Sequence, residues 1–371
     1  MYIYEHNGWP RFTWDSEKII DSLALVRNAQ GRLIGKLEAL GFENLSDANL
    51  ETLTLDVMKS TEIEGEILSR EQVRSSLARR LGIEISDEVS SSRDIEGIAE
   101  LTLDATRNFL SELTKDRLFG WHSALFPAGR SGLYKIVVGT WRDGSQGPMQ
   151  VVSGGAGRER VHFEAPSVTL IPREMQEFIT WYNSTDSGDS ILKAAVAHLW
   201  FVTLHPFEDG NGRIARALTD MLLARSDGIP QRFYSMSAQI MNQRKGYYQI
   251  LEQTQIGSLD ITPWLAWFLS CLHDAIKNAD ILLDKVVKKY RFWQKAKEKN
   301  LNMRQQKMVN LLLDDFKGVL NVSKWAKIMQ TSTDTALRDI VDLVEKGILV
   351  KGEEGGRATH YSLIDEIEPF T

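Results

Sequence analysis

The sequence predicts a mainly α-helical protein in three parts, and three observations carry that expectation. Apolar residues recur at helical spacing along most of the chain: Leu192, Ala195, Leu199 and Val202 mark one run, and Ile214, Leu218, Met221 and Leu222 another. Residues 137–172 have a different texture. There Val151-Val152-Ser153 and Val161-His162-Phe163 form short extended runs around Gly154-Gly155-Ala156-Gly157, the pattern of a β-hairpin. The third observation is a change of charge. From Lys288 onward 15 Lys and Arg face 12 Asp and Glu, whereas the whole chain carries a net charge of −6.

Taken in order, residues 1–88 read as a small helical module whose helical run from near Leu50 ends at Ser60-Thr61-Glu62-Ile63-Glu64-Gly65. Residues 84–94, with Asp87, Ser90, Ser91 and Ser92, read as a linker. Residues 95–285 are expected to form the core: helix at 191–204, a second helix after the loop that follows, and another opening at Arg244-Lys245-Gly246-Tyr247-Tyr248. Residues 290–371 hold a helix near 304–315, a short one at Val322-Ser323-Lys324-Trp325-Ala326, and a third capped and begun by Ser332, Thr333 and Thr335 that ends at Gly347. Ile348-Leu349-Val350 and His360-Tyr361-Ser362-Leu363 then flank Gly355-Gly356-Arg357 as a two-stranded ribbon. This part resembles a winged helix-turn-helix. In a DNA-reading version Lys327, Arg338 and Arg357 meet phosphates or base edges. Asp334, Asp339, Glu353 and Glu354 weaken that positive face, so DNA and protein contact both stay open.

Composition sets bounds. With 371 residues, 43% hydrophobic and 25% charged, the chain is expected to be a soluble globular protein of two or three domains. The net charge argues against a nucleic-acid coat or a membrane-surface binder. Cys271 is the single cysteine, which excludes an internal disulfide; beside the apolar run Trp264-Leu265-Ala266-Trp267-Phe268-Leu269 it reads as buried and inert. No run approaches bilayer length, and a start carrying Tyr4, Glu5 and Asn7 is unlike a secretory leader. A cytoplasmic protein without a membrane partner is expected.

Residues 205–216 read HPFEDGNGRIAR and concentrate the chemistry. A glycine-rich turn opening a helix aims backbone N–H groups and the positive dipole end at one spot, which makes an anion site. Arg213 and Arg216, three apart, project to the same side of that helix, and guanidinium forks suit phosphate oxygens. Asp209 is a hard oxygen ligand fit for Mg²⁺. His205, with an ordinary pKa of about 6.5, can take a proton at neutral pH. Base, charge neutralisation and fixed geometry are what an in-line displacement needs. A metal pair of His198 and His205 lacks a third ligand at helical spacing, and His198 reads as a core histidine.

The stretch resembles the Fic family motif HxFx(D/E)GNGRxxR and matches it at every defined position. The resemblance implies a Fic-type helical core with a β-hairpin flap, between the small helical N-terminal domain and the C-terminal winged helix. It also implies transfer of AMP from ATP to a hydroxyl of a target protein, with Mg²⁺. His205 would be the base and Asp209 the metal ligand. Phe207, Glu208, Gly210, Asn211 and Gly212 would line the nucleotide site, with Asn211 and the loop amides cradling the α- and β-phosphates. Arg213 and Arg216 would hold the outer phosphates, and Tyr247 would line the adenine pocket. A branch that phosphorylates its targets has lysine in place of the second glycine, so Gly212 favours AMP transfer.

Ser60-Thr61-Glu62-Ile63-Glu64-Gly65 resembles the (S/T)xxxE(G/N) inhibitory segment of many Fic proteins. The resemblance implies that Ser60 and Glu64 face the nucleotide pocket and that the Glu64 carboxylate pairs with Arg216, displacing a γ-phosphate by like charge. The opening Trp9-Pro10-Arg11-Phe12-Thr13-Trp14-Asp15 resembles a domain often fused ahead of Fic cores. The hairpin at 148–166 would register the target by strand addition. An auto-inhibited adenylyltransferase, a nucleotide-responsive DNA-binding regulator and an enzyme removing AMP all remain open at this point, as does a homodimer.

Overall fold

The computed structural model describes residues 1–40, 45–85, 88–145, 147–153, 160–185, 188–313, 316, 318–352 and 359–364. Its helices follow from sequence signals at their ends. After α1 (Ser16–Leu40) and α2 (Ser46–Ile63), side-chain caps start most of the rest. Ser69 accepts from Gln72 N–H at the head of α3 (Arg70–Leu81), Ser92 from Ile95 N–H at α4 (Arg93–Arg107), and Thr114 from Arg117 N–H at α5 (Lys115–Leu125).

Two small hairpins come next. β1 (Arg130–Ser131) pairs with β2 (Tyr134–Lys135), a hairpin the sequence pattern does not announce because each strand is two residues long. β3 (Gln150–Ser153) pairs antiparallel with β4 (Arg160–Glu164), with a register shift at Val151/Val152. The expected turn Gly154-Gly155-Ala156-Gly157 lies outside the described residues, as does Asp87 in the linker. α6 (Ile171–Asn183) leads to α7 (Ser190–Leu204), which Asp189 caps on two amides. α8 (Asn211–Asp227), α9 (Met236–Asn242), α10 (Arg244–Gln255) and α11 (Thr262–Ala296) complete this part.

α7 is buried from Ile191 to Leu204, which suits a helix apolar on nearly every side, and α8 is nearly as buried although Arg213, Arg216 and Asp220 are among its buried residues. Trp264 of α11 donates to the Ala195 carbonyl at 2.8 Å and Tyr182 to that of Leu218 at 2.8 Å. The N-terminal residues pack onto the same core. Trp9 meets Trp200 edge-on and donates to Glu174 at 2.8 Å, while Thr13 exchanges backbone bonds with Leu259 and Ile261. Arg27 of α1 binds Asp189 and Ser226, at the ends of α7 and α8. By contact, residues 1–88 and 95–279 fall in the same compact unit, Met1–Ala279, and Asp280–Thr371 forms another, which takes the last residues of the expected 95–285 core. The boundary falls inside α11, where helical periodicity runs on unbroken.

α2 is held by buried polar groups. Asp56 accepts from Ser235 Oγ at 2.5 Å and Ser237 N–H at 3.3 Å, and Asn49 accepts from Arg232 N–H at 2.9 Å. Arg232 in turn bridges Asp220 at 2.8 Å and Asp227 at 3.3 Å. Burial, then the neighbouring Asp56 carboxylate, push Asp220 well above the usual carboxylate range.

The second unit holds α12 (Met303–Leu313), α13 (Val322–Met329), α14 (Thr333–Glu345) and the antiparallel pair β5 (Leu349–Lys351) and β6 (Tyr361–Leu363). Met308, Trp325, Ile340, Leu343 and Ile348 form its core. Lys327 and Arg338 are exposed, whereas Arg357, Glu353 and Glu354 lie outside the described residues. Asp339 departs from expectation: it is buried under Arg304 at 2.8 Å rather than weakening a positive surface. Among the described residues, no helix is long and apolar enough to cross a membrane.

Gly97 of α4 crosses α5 so closely that an added Cβ would lie 1.7 Å from the Ala124 carbonyl oxygen, while a Cβ at Gly120 meets nothing within 4 Å. Gly97→Ala should destabilise the protein by about 3 kcal/mol. Gly120→Ala should be neutral or stabilise it by roughly 0.5–1 kcal/mol. Urea unfolding of the pair checks both.

Candidate active site

The site is built where α7 stops and α8 starts. His205 caps α7 in the left-handed region, φ 48°, which a non-glycine residue adopts only when its surroundings impose it. Its N–H still donates to Phe201 O at 3.0 Å. Nδ1 lies 3.2 Å from the Val202 carbonyl, so Nδ1 carries the hydrogen and Nε2 the lone pair. Burial lowers the imidazole pKa below its usual value. Arg142 lowers it further, while the Val202 carbonyl, Glu64 and Asp209 oppose the shift. The ring is a neutral base at physiological pH.

The loop after His205 is locked by its own residues. Asn211 Oδ1 accepts from Phe207 N–H at 3.0 Å and Nδ2 donates to Phe207 O at 2.8 Å. Gly210, at φ 80°, turns the chain into α8, and a Cβ there would press on Phe126 at 2.9 Å. The first intrahelical bond is Ile214 N–H to Gly210 O, so the amides of Asn211, Gly212 and Arg213 are the orphan donors of a helix start. Asp209 accepts from Gly210 N–H at 2.5 Å and also meets Ser131 Oγ of β1.

Arg213 and Arg216 are both buried. Arg213 lies over the Phe126 ring at 5.0 Å and 3.5 Å from Glu66. Arg216 donates to Ser60 Oγ at 2.8 Å, to Ser60 O at 2.7 Å and to Glu64 Oε1 at 2.8 Å. A Cβ on Gly212 would sit 2.1 Å from that same carboxylate oxygen, so Glu64 lies directly on the helix start. Among the described residues, Arg213 Nε and Arg216 Nη1 have no hydrogen-bond partner. Two buried guanidinium donors left over beside a row of helix-start amides fit the oxygens of a polyphosphate. The end of α2 is latched from α10: Ile63 O accepts from Arg244 Nε at 2.9 Å and from Tyr248 OH at 3.2 Å.

His205, Asp209, Gly210, Gly212, Arg213, Arg216, Ser60 and Glu64 thus meet in one place. Four expected site residues are placed differently. Phe207 is fully buried and stacked on His122 at 4.2 Å, among the rings of Phe119, Trp141 and Phe201, so it anchors the loop and offers no surface to a ligand. Glu208 accepts from Val137 N–H at 2.9 Å and ties the loop to the strand region before it. The Asn211 side chain is spent inside the loop, leaving only its amide for an anion. Tyr247 is 2% exposed and bonded to His198 Nε2 at 2.8 Å; the half-exposed tyrosine is Tyr248. His198 also meets Thr219 at 2.9 Å, so neither ring nitrogen is left for a metal. Arg142, Ser131, Arg244 and Tyr248 escaped sequence reasoning. For the tyrosines the signal was there: Tyr247 shares a helical face with Leu251 and Thr254, both buried.

Three family models match the chain. A domain of unknown function, DUF4172, covers residues 2–83, the Fic/DOC family covers 112–223, and a DeoR-like helix-turn-helix domain covers 304–360. The chain carries a Fic domain. Protein adenylyltransferase fic-1 of Caenorhabditis elegans is 29% identical over 213 residues, 56% of this chain and 38% of that protein. Protein adenylyltransferase Fic of Drosophila grimshawi is 36% identical over 111 residues, 29% of this chain and 21% of that protein. The chain thus spans well under half the length of these curated relatives. In fold it resembles a Fic family protein from Desulfovibrio desulfuricans, with TM-score 0.56 at 19% identity over 97% of this chain and 99% of that one. Fic-1 of C. elegans superposes with TM-score 0.50 at 22% identity, over 72% of this chain and 74% of that one.

Beside the Fic loop, His198 and His122 are buried neutral; burial pulls them down to about 3 and about 4 respectively. The unfolded chain binds these two protons below about pH 6.5 and the folded chain does not, so stability must fall as pH falls through that value. The loss should approach about 2.7 kcal/mol per pH unit for the pair between roughly pH 5.5 and 4.5. Urea midpoints at a series of pH values check this, and a flat profile from pH 7 to 5 would contradict it.

Proposed function

We propose that this chain is an auto-inhibited protein adenylyltransferase, moving AMP from ATP to a Ser, Thr or Tyr hydroxyl of a target protein and of itself. One observation carries the reading: the Glu64 carboxylate accepts from Arg216 Nη2 and lies on the Gly212 backbone, at the anion site that the Fic loop forms beside His205. The names of the curated relatives support the reaction class.

In the reaction, the helix-start amides hold the α- and β-phosphates, and Arg213 and Arg216 hold the outer oxygens. His205 Nε2 takes the proton of the acceptor hydroxyl as its oxygen bonds to the α-phosphorus. The bond from that phosphorus to the bridging oxygen breaks in line, and pyrophosphate leaves. Asp209 is the residue that would hold Mg²⁺, which supplies charge neutralisation on the phosphates. β3 and β4 carry the edge to which an acceptor segment would add as a strand, with exposed Val152 opposite exposed Val161. While Glu64 accepts from Arg216 Nη2, a γ-phosphate meets a like charge there and binds without being aligned. The DeoR-like match over 304–360 and the exposed Lys327 and Arg338 favour DNA as a further partner. Asp334 and Glu345, also exposed on α14, set a limit on its positive charge.

With α-labelled ATP, Glu64→Gly should raise self-labelling at least about tenfold, the effect of freeing one charge-assisted contact of about 1.5–3 kcal/mol. His205→Ala in that background should lower it about 100-fold or more. Unchanged labelling in Glu64→Gly rejects the inhibitory role.

Because Arg244 and Tyr248 hold the α2 end that carries Glu64, Arg244→Ala should also raise labelling several-fold when Glu64 is present. In the Glu64→Gly protein the same change should add nothing further. Equal gains in both backgrounds would show that Arg244 acts elsewhere.

A further inference from the structure

Arg142 lies between β2 and β3 and is 5% exposed. Its polar contacts go to main-chain oxygen: Nε donates to His205 O at 2.9 Å, its N–H donates to Pro206 O at 2.9 Å, and Nη2 donates to Pro166 O. Among the described residues no carboxylate forms an ion pair with it. A buried cation without a counter-charge is costly, so its retention calls for a reason.

Two of its acceptors belong to the His205–Pro206 corner, where the chain holds a left-handed non-glycine residue. The third, Pro166, lies two residues past β4, just beyond the Ala165 N–H to Met149 O bond that extends the hairpin ladder. One planar group therefore joins the loop carrying the base to the root of the hairpin. We propose that Arg142 is a positioning residue for the His205 base, fixing the His205–Pro206 corner and the β3–β4 hairpin in one frame. This rests on the adenylyltransferase reading, in which the hairpin registers the acceptor hydroxyl. Without the link, the base and the registered hydroxyl would shift independently, and small misplacements of reacting groups are expensive.

The same cation disfavours the imidazolium. Burial and Arg142 push the ring toward the neutral form. Glu64, from the end of α2, and Asp209, from the ring's own loop, pull the other way. The charge of Arg142 should therefore show in the titration of His205, and its fork in the labelling rate.

The test uses the full chain in the Glu64→Gly background, with Arg142→Met and Arg142→Lys. The self-labelling rate at saturating ATP is read together with the His205 ring titration by NMR of histidine-labelled protein. Arg142→Met should slow labelling about tenfold or more, leave half-saturation by ATP unchanged, and raise the ring pKa by roughly half to one unit. Arg142→Lys keeps the charge but not the fork, so the ring should titrate as in the parent while the rate recovers only in part. Parental rate or parental ring pKa in Arg142→Met overturns the proposal. So does parental rate in Arg142→Lys, which decides the matter if the methionine variant does not fold. Absence of label in the Glu64→Gly parent would reject the transferase reading instead; the ring titration and the His205 backbone shifts in the two variants would still decide the contact.

Discussion

The site is organised around a competition for one spot, the start of α8. Orphan amides, the positive end of the helix dipole and two buried guanidinium groups converge there, and the low dielectric of a buried loop strengthens each attraction. Such a place must hold negative charge. In the folded chain the negative charge is the Glu64 carboxylate, lying 2.8 Å from Arg216 Nη2 and against the Gly212 backbone. Gly212 is needed for closeness: a Cβ there would collide with the Glu64 carboxylate that sits on the helix start.

That carboxylate is delivered by an element held from several directions. Asp56 and Asn49 bind α2 to the 232–237 segment, and Arg232 continues the network to Asp220 and Asp227. Arg244 and Tyr248 add a second grip at Ile63. Breaking one partner of such a buried network costs more than the network contributes as a whole, since the remaining charge is stranded. α2 is thus a part of the Fic-domain unit in physical terms, although sequence texture sets residues 1–88 apart.

What could be read in the sequence was what is written locally. The paired apolar runs of α7 and α8, the capping residues, the hairpin alternation and the three-helix-plus-ribbon pattern near the C-terminus are all short-range signals. The 205–216 loop was legible because its chemistry is contiguous. Within it, though, letters do not tell inward from outward. Phe207, Glu208 and Asn211 turned out to brace the loop rather than line a ligand surface. Tyr247 and Tyr248 are adjacent, and only the register of α10 against Leu251 and Thr254 decides which is buried. Arg142 was invisible for a different reason. Its partners are carbonyl oxygens, which every residue possesses, so no complementary side chain marks the contact.

The placement of Glu64 on the same folded unit as Arg216 has a consequence for control. In the inhibitory role proposed above, such an intramolecular plug would have no dissociation into bulk solvent, and diluting the protein would not release it. A high local concentration of nucleotide, or an agent that pries the end of α2 from its seat, would shift the balance. The device would answer to events at the α2–α10 seam.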